Sequence, residues 1–182
     1  DANRLGTLNT TTGAYSNLGN FGSGTGSAGA KNFSDVDGLA FHPFTGQLFG
    51  AVRDGDGGAP QDLLIQINPN TGAHVPDAFG PGVDYLVIQT AGTTSFNDVD
   101  DLAFDPETGF LYGVANQGGG SADAYVRIDT TTGATTNIGP FGVSDMEGLT
   151  AFNDGNFYGT TGSTRRFYSI NKTTGAATQI GP

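Results

Sequence analysis

Three acidic pairs recur along the chain: Asp35-x-Asp37, Asp98-x-Asp100 and Asp145-x-Glu147, with Asp101 adding a carboxylate in the second copy. Residues two apart on an extended segment point to the same side, so each pair presents its two carboxylates together. A hard cation such as calcium takes roughly six to eight oxygen ligands. Pairs arranged around a common axis would converge at one rim and supply them. Asp35, Asp37, Asp98, Asp100, Asp145 and Glu147 are therefore the expected metal ligands, with calcium as the expected ion. The competing role is local, each Asp capping the turn into its strand through a bond to nearby backbone.

Other segments carry weaker signals. Asp54-Gly55-Asp56-Gly57-Gly58 starts like a calcium loop but lacks the remaining ligands and the closing Glu, so it reads as a polar turn. Gly118-Gly119-Gly120-Ser121-Ala122-Asp123 nearly matches a calcium-binding nonapeptide, but Ser121 stands where Gly is needed and no tandem copy follows. The G-x-G-x-x-G stretch Gly24–Gly29 has no helix after it and reads as a flexible loop.

Support for catalysis is thin. Of the two histidines, His42 occupies a turn position that Asp105 holds in the next repeat, and no nucleophile-elbow serine is present. Paired carboxylates serve glycoside hydrolysis, but on a repeat they fit symmetry or metal better, and a non-catalytic protein is expected. Asn9, Asn32 and Asn171 stand in N-x-Ser/Thr sequons, two of them in Thr-rich turns where a glycan would be exposed. Chance occurrence in a Thr- and Asn-rich chain explains them equally well.

The elements that position these residues follow from a repeat. One pattern runs Val36-Asp37-Gly38-Leu39-Ala40-Phe41-His42-Pro43-Phe44-Thr45-Gly46-Gln47-Leu48-Phe49-Gly50, returns at Val99–Gly113 and, shortened, at Met146–Gly159. A second pattern ends in Asn/Asp-x-x-Thr-Gly and occurs four times, its turn glycines being Gly13, Gly72, Gly133 and Gly175. Both alternate apolar and polar residues around a Gly-containing turn, the signature of β-hairpins. Phe41, Phe49, Phe104, Tyr112, Phe152 and Tyr158 recur at matching places and read as core between repeats. The fold expected is all-β, a propeller-like array of four-stranded antiparallel units.

These phrases resemble the propeller-like β-repeats of secreted bacterial surface proteins. The resemblance implies architecture and no particular activity.

One domain of 182 residues is expected, with a half unit at 1–18 and units at 35–80, 98–142 and 145–182. The hairpin count gives fourteen strands, or three and a half units. A regular ring does not close on that number, and an open edge invites pairing with another chain. A fragment of a larger propeller and an irregular closed monomer are the alternatives. The N-terminal hairpin, with Leu5, Leu8 and Leu18, is the expected assembly element, and if it pairs between chains, removing residues 1–18 is expected to abolish polymerisation and spare the fold.

Composition narrows the partners. Eighteen Asp and Glu face seven Lys and Arg, a net charge of −11, which excludes nucleic acid and anionic membrane surfaces. The longest aliphatic or aromatic run, Tyr85-Leu86-Val87-Ile88, is too short to insert in a bilayer. Cysteine is absent, so disulfides and thiolate metal sites are absent too. Two Lys among abundant Thr, Gly, Asn and Ser fit an extracellular or cell-surface bacterial product, and a chain beginning at Asp1 reads as a processed one. The leading expectation is a structural subunit that self-associates, even into a filament. A calcium-supported adhesion or carbohydrate-binding module follows, and a fragment of a propeller enzyme comes third.

Overall fold

A computed structural model describes residues 4–53, 62–89, 98–116, 122–153 and 155–182. The calcium-loop-like stretch at 54–58 and the glycines at 118–120 lie outside them. Among the described residues there is no helix. Two short hairpins, β1 (Arg4–Leu8) with β2 (Tyr15–Asn20) and β3 (Ser23–Gly26) with β4 (Gly29–Asn32), precede three four-stranded sheets. Unit 1 contains β5 (Val36–Phe41), β6 (Leu48–Val52), β7 (Leu63–Ile67) and β8 (Tyr85–Val87). Unit 2 contains β9 (Asp98–Phe104), β10 (Leu111–Asn116), β11 (Ala124–Ile128) and β12 (Thr135–Pro140). Unit 3 contains β13 (Met146–Ala151), β14 (Phe157–Thr161), β15 (Phe167–Ile170) and β16 (Ala177–Gly181). Strand order follows the chain within each antiparallel sheet. The architecture is the all-β, propeller-like array that the repeats imply.

The turns explain the repeat. The side chains of Asn9, Asn68, Asp129 and Asn171 each accept a backbone N–H from two residues further on. The glycine that ends each turn has a φ of 71–77°, a left-handed conformation that costs other residues energy. Inner strands β5, β9 and β13 stand side by side, and packing between units builds the core. One cluster joins unit 1 to unit 2 through Ala40, Phe49, Leu64, Leu102 and Phe104. Another joins unit 2 to unit 3 through Tyr112, Tyr125, Met146, Leu149 and Phe157. A third sets Leu5, Phe21 and Phe33 of the N-terminal segment on Leu48, Leu63, Ile65 and Tyr85 of unit 1.

Hairpin β1–β2 takes the place of the two outer strands of a preceding unit. His74 N donates to Phe21 O (3.0 Å), as Ala177 N donates to Phe141 O (2.9 Å) between units 2 and 3. Leu5 is buried in this contact, so removing residues 1–18 strips part of unit 1's core, contrary to the sequence-based expectation.

Three further expectations change. The Gly24–Gly29 stretch is the hairpin β3–β4, giving sixteen strands in place of fourteen. A side chain at Gly24 or Gly26 would collide with Asp84, Phe33 or Tyr85, so these glycines admit close packing rather than flexibility. Unit 1 also extends past residue 80. Its fourth strand is β8, while the residues after Gly72 return to β7 only briefly, through the bridge Ile67↔His74 and the Val75 N–H on Gln66 O. Finally, Phe152 falls out of register. Ala151, not Phe152, occupies the Phe104 position, since Ala151 pairs with Phe157 as Phe104 pairs with Leu111.

Candidate functional site

The acidic pairs lie where the inner strands begin. Asp37 on β5 and Asp98 and Asp100 on β9 gather around one cation, Arg53, which follows β6. Its guanidinium holds Asp98 through both nitrogens and stands 3.3 Å from Asp37 and 3.7 Å from Asp100. Burial raises the Asp37 carboxyl, with Arg53 opposing. Burial, then the charges of Asp98 and Glu147, pushes Asp100 up to about 7. Asp145 and Glu147 stand apart from Arg53, beside the turn after β14. Hydrogen bonds from the Ser163 hydroxyl and then its N–H hold the Asp145 carboxyl below the usual range. Asp35 and Asp145 share a left-handed φ of 66°, and their carbonyls accept Arg53 N and Gly162 N at 3.0 Å. These are main-chain bonds across each hairpin, distinct from a side-chain cap of the strand that follows. Among the described residues, no group of three or more His, Asp or Glu side chains is disposed to hold a metal ion.

Three buried carboxylates bind unit to unit: Asp62 and Asp123, which lie outside the acidic pairs, and Asp101. Asp62, just before β7, accepts Val99 N of unit 2 at 2.5 Å. Asp123, at the same place before β11, accepts Met146 N of unit 3 at 2.6 Å. Asp101 accepts Leu149 N at 2.7 Å. Burial pushes Asp62 up to about 8, against the Val99 N–H and with help from Asp98. It pushes Asp101 up to about 6, against the N–H groups of Leu149 and Leu102. The recurrence of Asp before the third strand was the sequence signal for Asp62 and Asp123.

The faces at the two ends of the array differ from those inside it. Leu102 and Phe104 face unit 1 and are 2% and 6% exposed, and Leu149 faces unit 2 at 6%. Leu39 and Phe41 hold the corresponding places in unit 1, yet are 41% and 58% exposed. Strands β7, β11 and β15 are each paired on both sides, whereas among the described residues β1 pairs with β2 alone. At the other end, Tyr158 and Phe167 stack at 5.5 Å and 16°. Tyr112 and Tyr125 form the same stack at 5.0 Å and 9°, but there Phe157 of unit 3 covers it.

Of the expected assembly residues, Leu5 is in the core, while Leu8 (68% exposed) and Leu18 lie at the surface. Asn9 and Asn171 sit in exposed turns and Asn32 is exposed at the end of β4.

No protein-family model matches the chain, and no curated protein matches it. Solved structures do. A chain of the nidogen/laminin complex superposes with a TM-score of 0.57 at 11% identity, over 98% of this chain and 58% of that one. A structural-genomics protein of unknown function from Bacteroides thetaiotaomicron gives 0.52 at 17% identity, over 84% of this chain and 35% of that one. The likeness shows the fold, and the chain spans between about a third and three fifths of the structures it matches.

Proposed function

We propose that this protein is a non-catalytic, extracellular assembly subunit that joins a β-structured partner by completing its own first unit. The observation that carries the reading is the contrast at one repeat position: Leu39 and Phe41 lie open where Leu102, Phe104 and Leu149 are buried. Among the described residues β1 also leaves one edge unpaired. A partner that supplies two antiparallel strands would pair with β1 through main-chain bonds and cover Leu39 and Phe41. Apolar pairs of this kind, surrounded by a strongly acidic surface, favour one specific contact over unspecific clumping. The uncovered Tyr158–Phe167 stack at the far end makes a contact of different chemistry, so copies joined through the two ends would associate head to tail. That a nidogen/laminin complex contains the same fold supports a protein as partner.

Light scattering coupled to size exclusion tests the reading. The protein is expected to shift from monomer to larger species as concentration rises, and Leu39→Asp with Phe41→Asp is expected to abolish the shift while leaving the circular dichroism spectrum unchanged. A monomer at every concentration, with no effect of the double substitution, would refute self-association.

A further inference from the structure

The two interfaces between units end differently at the Thr-Gly turns. Between units 2 and 3, Lys172 reaches across to Asp105 at 2.8 Å and to Glu107 at 3.3 Å, and the Asp105 side chain is 1% exposed. That ion pair seals the end of the interface. Between units 1 and 2 the corresponding positions hold His42 in place of Asp105 and Thr130 in place of Lys172. Neither can form the seal, and a cleft of about 340 Å³ lies between them.

The cleft is built and oriented. Thr45 Oγ1 donates to Gln47 Oε1 (2.8 Å), and Gln47 Nε2 donates to Gln66 Oε1 (3.1 Å), which fixes both carboxamides. His42 Nδ1 accepts the N–H groups of Phe44 and Thr45, so its proton resides on Nε2 and faces outward as a donor. The ring is held at 4.8 Å from Phe104. Thr130 and Thr131 contribute hydroxyls, and Phe49 and Phe79 an apolar wall. The same two threonines border a second cavity of about 430 Å³, in which the Arg127 guanidinium lies 4.8 Å over the Phe110 ring. Together the cavities form a groove with amide, imidazole and hydroxyl groups along it and an aromatic ring at either end. Each cavity lies at the lower end of the roughly 300–1,000 Å³ common for small-molecule sites.

We infer that this groove binds a neutral oligosaccharide. Carboxamides and hydroxyls match the alternating donors and acceptors of sugar hydroxyls, and the exposed side of Phe110 offers a face to the C–H surface of a pyranose. An anionic glycan is disfavoured by the net charge of −11, and Arg127 is balanced by Asp129 in the same cavity.

Saturation-transfer NMR with cellohexaose, chitohexaose and maltohexaose tests the inference. At least one is expected to receive transfer from the native protein. The double substitution His42→Asp with Thr130→Lys copies the sealed interface into the open one. It is expected to weaken binding at least tenfold without lowering the melting midpoint. Gln66→Ala, which leaves the interface unsealed, is expected to weaken binding as well. Absence of transfer to all three sugars, or undiminished binding by both variants, would overturn it. Self-association through Leu39 and Phe41 is read separately, so either proposal can fail without the other.

Discussion

Asp62 links acidity to stability in a way that one substitution isolates. Its side chain is buried at the boundary between units 1 and 2, with Oδ2 on the Val99 N–H (2.5 Å) and Oδ1 lacking any partner as a carboxylate. Asp98 is its close acidic neighbour. Burial, and after it the charge of Asp98 and a hydrogen bond to it, raises the folded-state value from 3.8 to about 8, and a proton on Oδ1 makes that atom a donor toward Asp98. The unfolded chain loses this proton near 3.8, the folded chain near 8. The stabilisation is therefore complete on the acid side of 3.8 and declines as pH rises toward 8. One such proton sets a slope of up to about 1.4 kcal/mol per pH unit, or nearly 3 kcal/mol between pH 5 and pH 7. Asp100 and Asp101, raised to about 7 and about 6, act in the same direction. Asp62→Asn keeps an acceptor for Val99 and a donor for Asp98 at every pH. It is expected to match the native protein within about 1 kcal/mol at pH 5, to exceed it at pH 8, and to flatten the slope by one proton. Asp62→Ala strands the Val99 N–H and is expected to cost about 1–3 kcal/mol. Urea unfolding followed by circular dichroism from pH 5 to pH 8 measures all three. An Asn variant as unstable as the Ala variant at pH 8, with an unchanged slope, would refute a shared proton.

Other expectations are simpler. Lys172→Met leaves the buried Asp105 carboxylate unpaired and is expected to cost about 3 kcal/mol, read from the urea midpoint at neutral pH, with Asp105→Asn in the same chain recovering most of the loss. Arg53→Ala removes the cation shared by Asp37, Asp98 and Asp100; its melting midpoint is expected to fall further at pH 8, where Asp100, raised to about 7, is ionised, than at pH 5. Gly24→Val places atoms on Asp84 and Phe33 and is expected to lower stability by about 1–3 kcal/mol, measured by thermal melting. Self-association, opposed by like charge, is expected to strengthen with ionic strength, as sedimentation velocity at low and high salt would show.

Much of the architecture was legible because it repeats in local chemistry. Asn or Asp at the start of a turn and Gly at its end are read from neighbours in the chain, and all four such turns formed where the pattern placed them. Contacts between distant residues were not legible. The apolar run at Tyr85–Gln89 marked a possible extra strand, and β8 forms there, but that it pairs with β7 as the fourth strand of unit 1 was not legible. The glycines of β3–β4 look like a linker until Tyr85 and Asp84 are set against them. Phe152 matched Phe104 by residue type, but the shortened third copy shifted the alignment by one residue, and in a strand one residue reverses the face. The acidic pairs were found, yet their surroundings were not. Arg53 stands where the other units have Asn116 and Gly162, so the repeat carries no signal for its three carboxylate neighbours, and burial, which governs Asp62 and Asp101, is a property of the packed interfaces.

The unit interfaces share a backbone plan and differ in what finishes them. Where units 2 and 3 meet, an ion pair closes one end and Asp123 and Asp101 tie backbone to backbone. Where units 1 and 2 meet, Asp62 makes the equivalent tie, but the far end is left as a polar cleft. Among the described residues, the same apolar positions that make core in units 2 and 3 make surface in unit 1. A repeat fold can leave such places open because each unit is held mainly by its neighbours. If each opening were only a packing defect, sealing it would raise stability and change nothing else. Under the roles assigned here, sealing the cleft removes sugar binding, and charging Leu39 and Phe41 removes association, each with the fold intact.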